Sequence, residues 1–349
     1  MFESLVDRFL EWEIDQIILV QKVFRPVEQY LEIISHVTTA RFMHMYLFPF
    51  VLVFSLRYYV NIMIAAIISH MSINILKWIF AGTRPYWWIN ETAMYSNFTR
   101  PTLHQTYLTC ETSAGNPSGH VMMTASILFF IIRSIIYRSH WCRKRMTRPL
   151  KYFIWNIYVC CIGLVTLSRM YFACHFSHQC LLGSYFGMTI SQMLQTQRFN
   201  RFLIEMKRSN GMAMGLAILC LVLCTYFGHA VFGIDPQWTI QKAFNWCKDP
   251  YFIKPETTPI YAMVRDFGFL FGLILSSPHA NRFSIEMDWK WSVPLIGLII
   301  AIKQYATDLI PRIHGAFLFY LINFFSNFSF IIVLLIVVPF IAKKPKAKI

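Results

Sequence analysis

Long apolar stretches alternate with short polar segments along most of this chain of 349 residues. A helix needs about 20 mostly apolar residues to cross a lipid bilayer, and such stretches recur between residues 41 and 342. The pattern predicts an all-α polytopic membrane protein with about nine transmembrane helices. The predicted spans lie at roughly 41–57, 60–81, 118–138, 151–168, 179–197, 211–230, 259–277, 291–307 and 315–342.

The segment at residues 1–40 has a different pattern, because acidic residues interrupt its apolar runs. No run there is long enough to span a bilayer, and no cleavable signal-peptide pattern is present. We predict an amphipathic segment at the membrane surface. No long polar linker divides the remainder, so residues 1–349 are predicted to form a single membrane-embedded domain.

The composition of the chain agrees with a membrane protein. Hydrophobic residues make up 56% and charged residues 14%, whereas a soluble domain carries about 25% charged residues. The formal net charge of +15 comes from basic residues clustered between apolar stretches. That distribution is typical of loop bias in membrane proteins rather than of nucleic-acid binding. We therefore expect the lipid bilayer, and no nucleic acid, as a partner.

Basic loops set the predicted orientation. With these spans, three basic segments fall on one side of the membrane, at residues 138–151, residues 198–208 and the tail 343–349. The positive-inside rule makes that side cytosolic, so the N-terminus and the loop at 83–117 face the lumen. Glycosylation sequons at Asn97 and Asn90 lie in this same loop, on the face where glycosylation occurs.

Cysteines do not define a metal site. The chain has nine, without a CxxC pair or the spacing of a zinc site. Cys110 and Cys247 both lie in loops predicted on the lumenal face, which leaves a disulfide between them open. We predict no metal ion and no cofactor.

Lys77 and Arg84 are basic residues on the membrane face that the positive-inside rule disfavours. They stand seven residues apart, about two helical turns, so both side chains would project from one face. A charge in the membrane is costly without a partner. The pair indicates a bound anion, although a lysine near a helix end can also reach the membrane surface.

The segment GNPSGH at 115–120 begins with residues that are favoured at a helix N-terminus. The amides of Ser118 and Gly119 would be accessible there, and amides at a helix N-terminus bind phosphate well. His120 would then stand on the first helical turn, beside that phosphate. An ordinary capped helix is the alternative reading of this segment.

The loop at 169–178 supplies a third group, which contains Arg169, His175 and His178. The spacing of the two histidines would allow a metal pair, but companion ligands are too few. All three groups emerge at one membrane face, so topology alone allows them to converge. Three cations, a helix N-terminus and histidines suit phosphoryl transfer, in which one histidine attacks phosphorus and another protonates the leaving alcohol.

Three motifs, K-x6-R-P at 77–85, P-S-G-H at 117–120 and S-R-x5-H at 168–175, resemble the signature of a known superfamily. It is the type-2 phosphatidic acid phosphatase superfamily, which includes vanadium haloperoxidases. The resemblance implies that His175 is the nucleophile that forms a phosphohistidine and that His120 is the proton donor. It implies phosphate binding by Lys77, Arg84, Ser118, Gly119 and Arg169.

Further stretches look like one branch of that superfamily, the glucose-6-phosphatase catalytic subunits: FAGTRPYWW at 80–88, TCET at 109–112 and HFSHQ at 175–179. This resemblance covers nearly the whole chain. It implies a catalytic core at 41–197, in about the first five spans, with additional spans at 198–342. It also implies hydrolysis of glucose 6-phosphate at the lumenal face of the endoplasmic reticulum, in support of glucose production, with a separate transporter supplying the substrate.

Two positions depart from the expected patterns. Gln179 stands where lipid phosphatases usually carry an aspartate that orients the nucleophile, which favours the sugar branch and leaves the partner that orients His175 open. Near the C-terminus, Lys346 fits the di-lysine retrieval signal that this branch often carries, but Ala347 does not. Retention in the endoplasmic reticulum is therefore open.

Other functions stay open as well. A lipid phosphate phosphatase of the same superfamily would share these motifs, although its usual design has fewer spans. An anion or phosphate transporter would also use charges within the membrane, and Asp266, Lys303 and Asp308 keep that interpretation open. No contact to a sugar can be assigned from the sequence, and Glu111 lies in the right loop without a role.

Overall fold

Helices dominate the described part of the protein. The computed structural model describes residues 2–138, 146–280, 287–310 and 315–343. These residues contain no β-strand beyond one bridge between Met287 and Lys343, which confirms the all-α prediction. The basic residues predicted at 139–145 and 344–349 lie outside the described residues.

The α-helices are α1 (Phe2–Phe24), α2 (Glu28–Val37), α3 (Ala40–Phe42), α4 (Phe48–Phe54), α5 (Leu56–Phe80), α6 (Pro85–Glu91), α7 (Gly119–Arg133), α8 (Arg148–Tyr171), α9 (Ser177–Leu194), α10 (Gln197–Glu205), α11 (Arg208–Val231), α12 (Trp238–Trp246), α13 (Pro259–Ala280), α14 (Trp289–Leu309), α15 (Ala316–Ile332) and α16 (Val338–Ile341). Single π-helical turns follow α3, α7 and α15.

Every predicted span coincides with a helical segment. Within the described ranges, six segments are long and apolar enough to cross a membrane: Leu56–Glu91, Gly119–Tyr137, Arg148–Tyr171, Arg208–Val231, Pro259–Ser276 and Ala316–Ile341. The helices Leu5–Val37 and Ala40–Phe54, bent by 57°, would together count as a seventh. Because α9 and α14 are helical but do not belong to this set, the number of nine spans stays a prediction.

One compact unit of the chain comprises Met1–Thr39, Ser72–Gln192 and Thr225–Pro259. In this unit α1 buries Leu10, Ile14 and Ile17, which share one side of the helix because of their spacing. These side chains pack against Ala173 and Phe176. The N-terminal segment therefore contributes to the hydrophobic core of the unit, and its predicted place at the membrane surface stays a prediction.

The helices α7 and α9 pack closely because glycines of α9 lie at their contact. A Cβ atom on Gly187 of α9 would stand 2.3 Å from the carbonyl oxygen of Met122 in α7. Near the starts of the two helices, the Ser118 amide donates to the Gln179 carbonyl oxygen at 3.0 Å. Close packing thus brings together the helix starts that carry the predicted motifs.

The other compact unit comprises Ala40–Met71, Met193–Cys224 and Ile260–Ile349. Its buried charges have polar partners from the same unit. The Lys303 ammonium donates to Ser326 Oγ at 2.7 Å and to Asn327 Oδ1 at 2.9 Å. Arg265 pairs with Asp266 at 2.8 Å. Such partners lower the cost of a charge in an apolar setting, which explains how the predicted seventh and eighth spans carry charges.

Substitution of Gly187 by Ala tests the α7–α9 contact. The added Cβ would overlap the Met122 carbonyl oxygen, so we expect a loss of about 1–3 kcal/mol in the free energy of unfolding. The thermal unfolding midpoint of the protein in detergent measures this loss. Gly163→Ala is the matched control, because no heavy atom lies within 4 Å of its added Cβ. Equal midpoints for the two variants would contradict the packing described.

Candidate active site

The two cations of the first motif meet at Ser113. Lys77 lies in the last turn of α5, and Arg84 directly precedes α6 in an extended conformation. The Lys77 ammonium donates to Ser113 Oγ at 2.7 Å, and Arg84 Nε donates to the Ser113 carbonyl oxygen at 2.6 Å. Both side chains are buried, and the guanidinium of Arg84 is fully so. The predicted shared helical face is wrong, because α5 ends at Phe80 and Arg84 lies beyond it in extended backbone; the two cations converge through Ser113 instead.

The segment before α7 approaches the Arg84 region closely. The Gly115 amide donates to the Gly82 carbonyl oxygen at 2.7 Å. A Cβ atom on Gly115 would stand 2.6 Å from the Thr83 carbonyl oxygen and 2.9 Å from Gln179 Oε1. Only glycine fits there, because any side chain would overlap backbone atoms. This close approach brings the carbonyl group of Gly115 to the predicted nucleophile.

His175 is held through one ring nitrogen. Its Nδ1 lies 2.7 Å from the Gly115 carbonyl oxygen and 3.2 Å from Gln179 Oε1. A carbonyl oxygen can only accept, so Nδ1 carries the hydrogen and Nε2 carries the lone pair. Among the described residues Nε2 is buried without a hydrogen-bond partner. Burial, followed by the positive charge of Arg84, lowers the pKa of His175 well below its usual value, which keeps the ring neutral.

Gln179 contributes to the same arrangement from the first turn of α9. Its Nε2 donates to the Thr83 carbonyl oxygen at 2.7 Å, and its Oε1 accepts from the Phe176 amide at 3.3 Å. The side chain therefore joins the first motif to the loop that carries His175. The orienting partner that the sequence left open is a backbone carbonyl group, supported by an amide side chain.

Arg169 reaches the site from the last turn of α8. One guanidinium nitrogen donates to Ser35 Oγ at 2.5 Å, and the other donates to the Glu111 carboxylate. Glu111 also accepts from Arg84 at 2.9 Å. The carboxylate thus bridges two arginines that come from different predicted motifs.

Glu111 is also close to both predicted catalytic histidines. Its Oε1 lies 3.8 Å from His120 Nδ1, and its Oε2 lies 3.9 Å from His175 Nε2. Burial raises the pKa of Glu111, but Arg169 and Arg84 outweigh burial and hold the pKa well below its usual value. An ionised carboxylate therefore stands at the centre of the predicted site.

The sequence offered one signal for the central role of Glu111. It is the only acidic residue between positions 92 and 118, in the loop that faces three predicted cations. Buried cations need a counter-charge, so a lone acid in such a loop is a candidate partner. Because Glu111 and Arg169 are 58 residues apart in the chain, the sequence alone did not indicate that they pair.

The loop that carries Glu111 is restrained by two contacts with residues that are distant in the sequence. Cys110 and Cys247 form a disulfide with a Cα–Cα distance of 5.7 Å. The hydroxyl groups of Thr112 and Thr257 lie 3.0 Å apart. The pairing that the sequence left open is therefore made, and it restrains Glu111 from the neighbouring position in the chain.

The helix start at 118–120 is less free than the sequence suggests. The Ser118 amide, which we expected to bind phosphate, already donates to the Gln179 carbonyl oxygen. Gly119 is the first residue of α7, and an amide in that position has no partner within the helix. His120 follows it on the first turn. The binding roles predicted for Ser118 and Gly119 stay predictions.

Comparisons with known proteins identify the family of the chain. The family model described as PAP2 superfamily matches residues 55–203. Glucose-6-phosphatase 2 of Homo sapiens is 28% identical over 339 residues, which cover 92% of each chain. Glucose-6-phosphatase catalytic subunit 1 of Rattus norvegicus is 30% identical over 285 residues, which cover 76% of this chain and 75% of the relative. No solved structure shows a significant match.

The chain belongs to the glucose-6-phosphatase family. The predicted family resemblance is therefore confirmed, and the protein is a phosphoric monoester hydrolase. In this chain the superfamily match spans all three predicted motifs. The match ends before α11, so the additional helices of the chain lie outside it.

Substitution of Glu111 by Gln tests the central carboxylate of this family member. The variant leaves Arg84 and Arg169 without their counter-charge, and we expect a loss of about 3–5 kcal/mol in the free energy of unfolding near pH 7. The folded pKa of Glu111 lies below its ordinary value of 4.5. The contribution of the ionised Glu111 to the free energy of unfolding is therefore present above pH 4.5 and lost as the pH falls further. The wild-type and variant thermal midpoints should thus converge in acid.

Glu91→Gln is the control for this experiment, because Glu91 makes a partly exposed ion pair with Lys242. We expect a change of less than about 1 kcal/mol for it. A Glu111→Gln protein as stable as the wild type near neutral pH would contradict the role assigned to the carboxylate.

Proposed function

We propose that this protein hydrolyses glucose 6-phosphate to glucose and inorganic phosphate through a phosphohistidine on His175. The observation that carries the proposal is the state of His175, which is neutral, buried and oriented by Gly115, with Nε2 left as a nucleophile. The names of the similar proteins support the choice of substrate. The match to the Homo sapiens relative covers 92% of the chain, beyond the part that the superfamily shares.

The first chemical step transfers the phosphoryl group to the enzyme. Lys77, Arg84 and Arg169 neutralise the phosphoryl oxygens while His175 Nε2 attacks phosphorus. The bond between phosphorus and the sugar oxygen breaks, and His120 donates a proton to that oxygen, so that glucose leaves. The helix start at Gly119 adds an amide and a favourable dipole for the negative charge.

The second step regenerates the enzyme. His120, now neutral, takes a proton from a water molecule that attacks the phosphohistidine. The bond between phosphorus and His175 Nε2 breaks, and inorganic phosphate is released. Each histidine thus ends in the protonation state in which it began.

We also propose a site at the lumenal face of the endoplasmic reticulum, with a lumenal N-terminus and a cytosolic C-terminus. The glycosylation sequon at Asn97 supports this orientation, because glycosylation occurs on the lumenal side. The Asn97 side chain is exposed for it, on a turn that Ser96 and Thr99 close by hydrogen bonds. A transporter that delivers glucose 6-phosphate across the membrane would be required by that location. Glucose production is the process that such an enzyme serves.

Side-by-side assays with glucose 6-phosphate and phosphatidic acid test the substrate. We expect the purified protein in detergent to prefer glucose 6-phosphate, and His175→Ala to lower kcat roughly 1,000-fold or more because the nucleophile is lost. Phosphate released per minute measures both quantities. His104→Ala is the control, because this imidazole is partly exposed and pairs with Glu28, which is not one of the proposed site residues.

Three outcomes would contradict this proposal. A strong preference for phosphatidic acid would favour the lipid phosphatase, and full activity of His175→Ala would exclude the phosphohistidine. Phosphate flux through liposomes without hydrolysis would favour the transporter instead.

Glycosidase treatment of the protein from microsomes tests the orientation. Asn97 is exposed, whereas the Asn90 side chain donates to the Tyr86 carbonyl oxygen at 2.9 Å within α6. We expect faster gel migration of the wild type after treatment, the same shift for Asn90→Gln, and no shift for Asn97→Gln. A wild-type chain whose migration does not change would contradict the lumenal placement of the loop.

A further inference from the structure

The N-terminal helices α1 and α2 contact the segment Ser168–His178 at several points along its length. Ser168 Oγ donates to the Leu31 carbonyl oxygen at 2.8 Å, and Gln21 Nε2 donates to the Tyr171 carbonyl oxygen at 2.7 Å. Apolar side chains of α1 pack against Ala173 and Phe176, which flank the nucleophile closely on both sides. The backbone around His175 is therefore enclosed by a part of the chain that carries none of the catalytic motifs.

Glu13 is the polar centre of this contact. Its side chain is fully buried in the middle of α1. The carboxylate accepts from Ser177 Oγ at 2.5 Å, from the His178 amide at 3.0 Å and from His178 Nδ1 at 2.6 Å. All these donors belong to the first turn of α9, where a negative charge also complements the helix dipole. A buried carboxylate needs such donors, so it holds this turn firmly.

The first turn of α9 controls two parts of the catalytic site. Gln179, the next residue after His178, has its Oε1 3.2 Å from His175 Nδ1. Its carbonyl oxygen accepts from the Ser118 amide, directly before the helix start that carries His120. A displacement of this turn would move the support of the nucleophile and the start of α7 together.

We infer that Glu13 is a positioning residue for catalysis, which acts on His175 and His120 through the first turn of α9. The inference rests on the proposed function, because it assigns Glu13 to the reaction of those histidines. Glu13 touches neither the phosphoryl group nor the reacting atoms. It sets the distance and angle at which His175 Nε2 meets phosphorus.

Glu13→Gln tests this inference with little change in size. The amide still offers an oxygen to Ser177 and the His178 amide, but it carries no charge. A nucleophile displaced by a fraction of an ångström reacts more slowly although the substrate still binds, so we expect kcat to fall about 10- to 100-fold. KM and the inhibition constant for inorganic phosphate should stay close to the wild type, since the phosphate-binding cations are untouched. Rapid-quench measurement of labelled phosphohistidine should show the same slowing.

Asp15→Asn is the matched control, because Asp15 is an exposed acid on the same helix. It should leave kcat, KM and the inhibition constant for inorganic phosphate unchanged. Each rate is expressed per folded molecule, from the monodisperse fraction in detergent. A loss of folding alone lowers the yield and not kcat, which separates a positioning role from a purely structural one.

A wild-type kcat for Glu13→Gln per folded molecule would overturn the inference. So would changes in KM and in the inhibition constant for inorganic phosphate that are as large as the change in kcat. If Glu13→Gln gives no folded protein, Ser177→Ala decides the question, because it removes only the hydroxyl donor. A lowered kcat with unchanged KM then supports the inference, and an unchanged kcat overturns it. A wild-type protein that fails to hydrolyse glucose 6-phosphate would instead overturn the proposed function, which is a separate outcome.

Discussion

The pairing of Glu111 with Arg84 and Arg169 is the interaction on which the arrangement of the site depends. Three cationic side chains are buried within a few ångströms of one another, and like charges in such a medium repel strongly. One ionised carboxylate offsets two of them directly. The same carboxylate lies near both histidines, so a single residue sets the charge balance of the whole site. The disulfide at the neighbouring Cys110 then restrains the loop in which this carboxylate lies.

A phosphoryl group that binds to the same arginines must share them with Glu111. Anions compete for a fixed number of guanidinium donors, so substrate binding and the position of Glu111 are linked. The buried Lys77 donates to Ser113, and among the described residues the direct ion pairs of Glu111 with the site cations are those with Arg84 and Arg169. Lys77 is therefore the natural first partner for an incoming phosphate. Charge balance thus connects the fold of the loop to the binding step of the reaction.

Orientation of the nucleophile depends on a second constraint, the close approach of backbone segments around Gly115. The absence of a side chain there allows a carbonyl group to reach His175. A neutral partner suits a histidine that attacks as a neutral ring, because it fixes the tautomer without drawing the proton away. In the other compact unit, Lys303 and the pair of Arg265 with Asp266 are satisfied by local polar partners, which assigns them a role in packing.

The apolar stretches by themselves determined the helical class and the position of the helices that coincide with the predicted spans, because apolar stretches of membrane-spanning length admit few other structures. Motif spacing determined which cations and histidines converge, since helices of known length place their ends on one face or the other. Only the tertiary structure decided the roles of Glu111, the Gly115 carbonyl group and Glu13. Their partners lie far away in the sequence or belong to the backbone, so no local pattern of side chains encodes them. The five residues that the motifs identified therefore lie together in a candidate site whose charge balance and orientation come from residues outside those motifs.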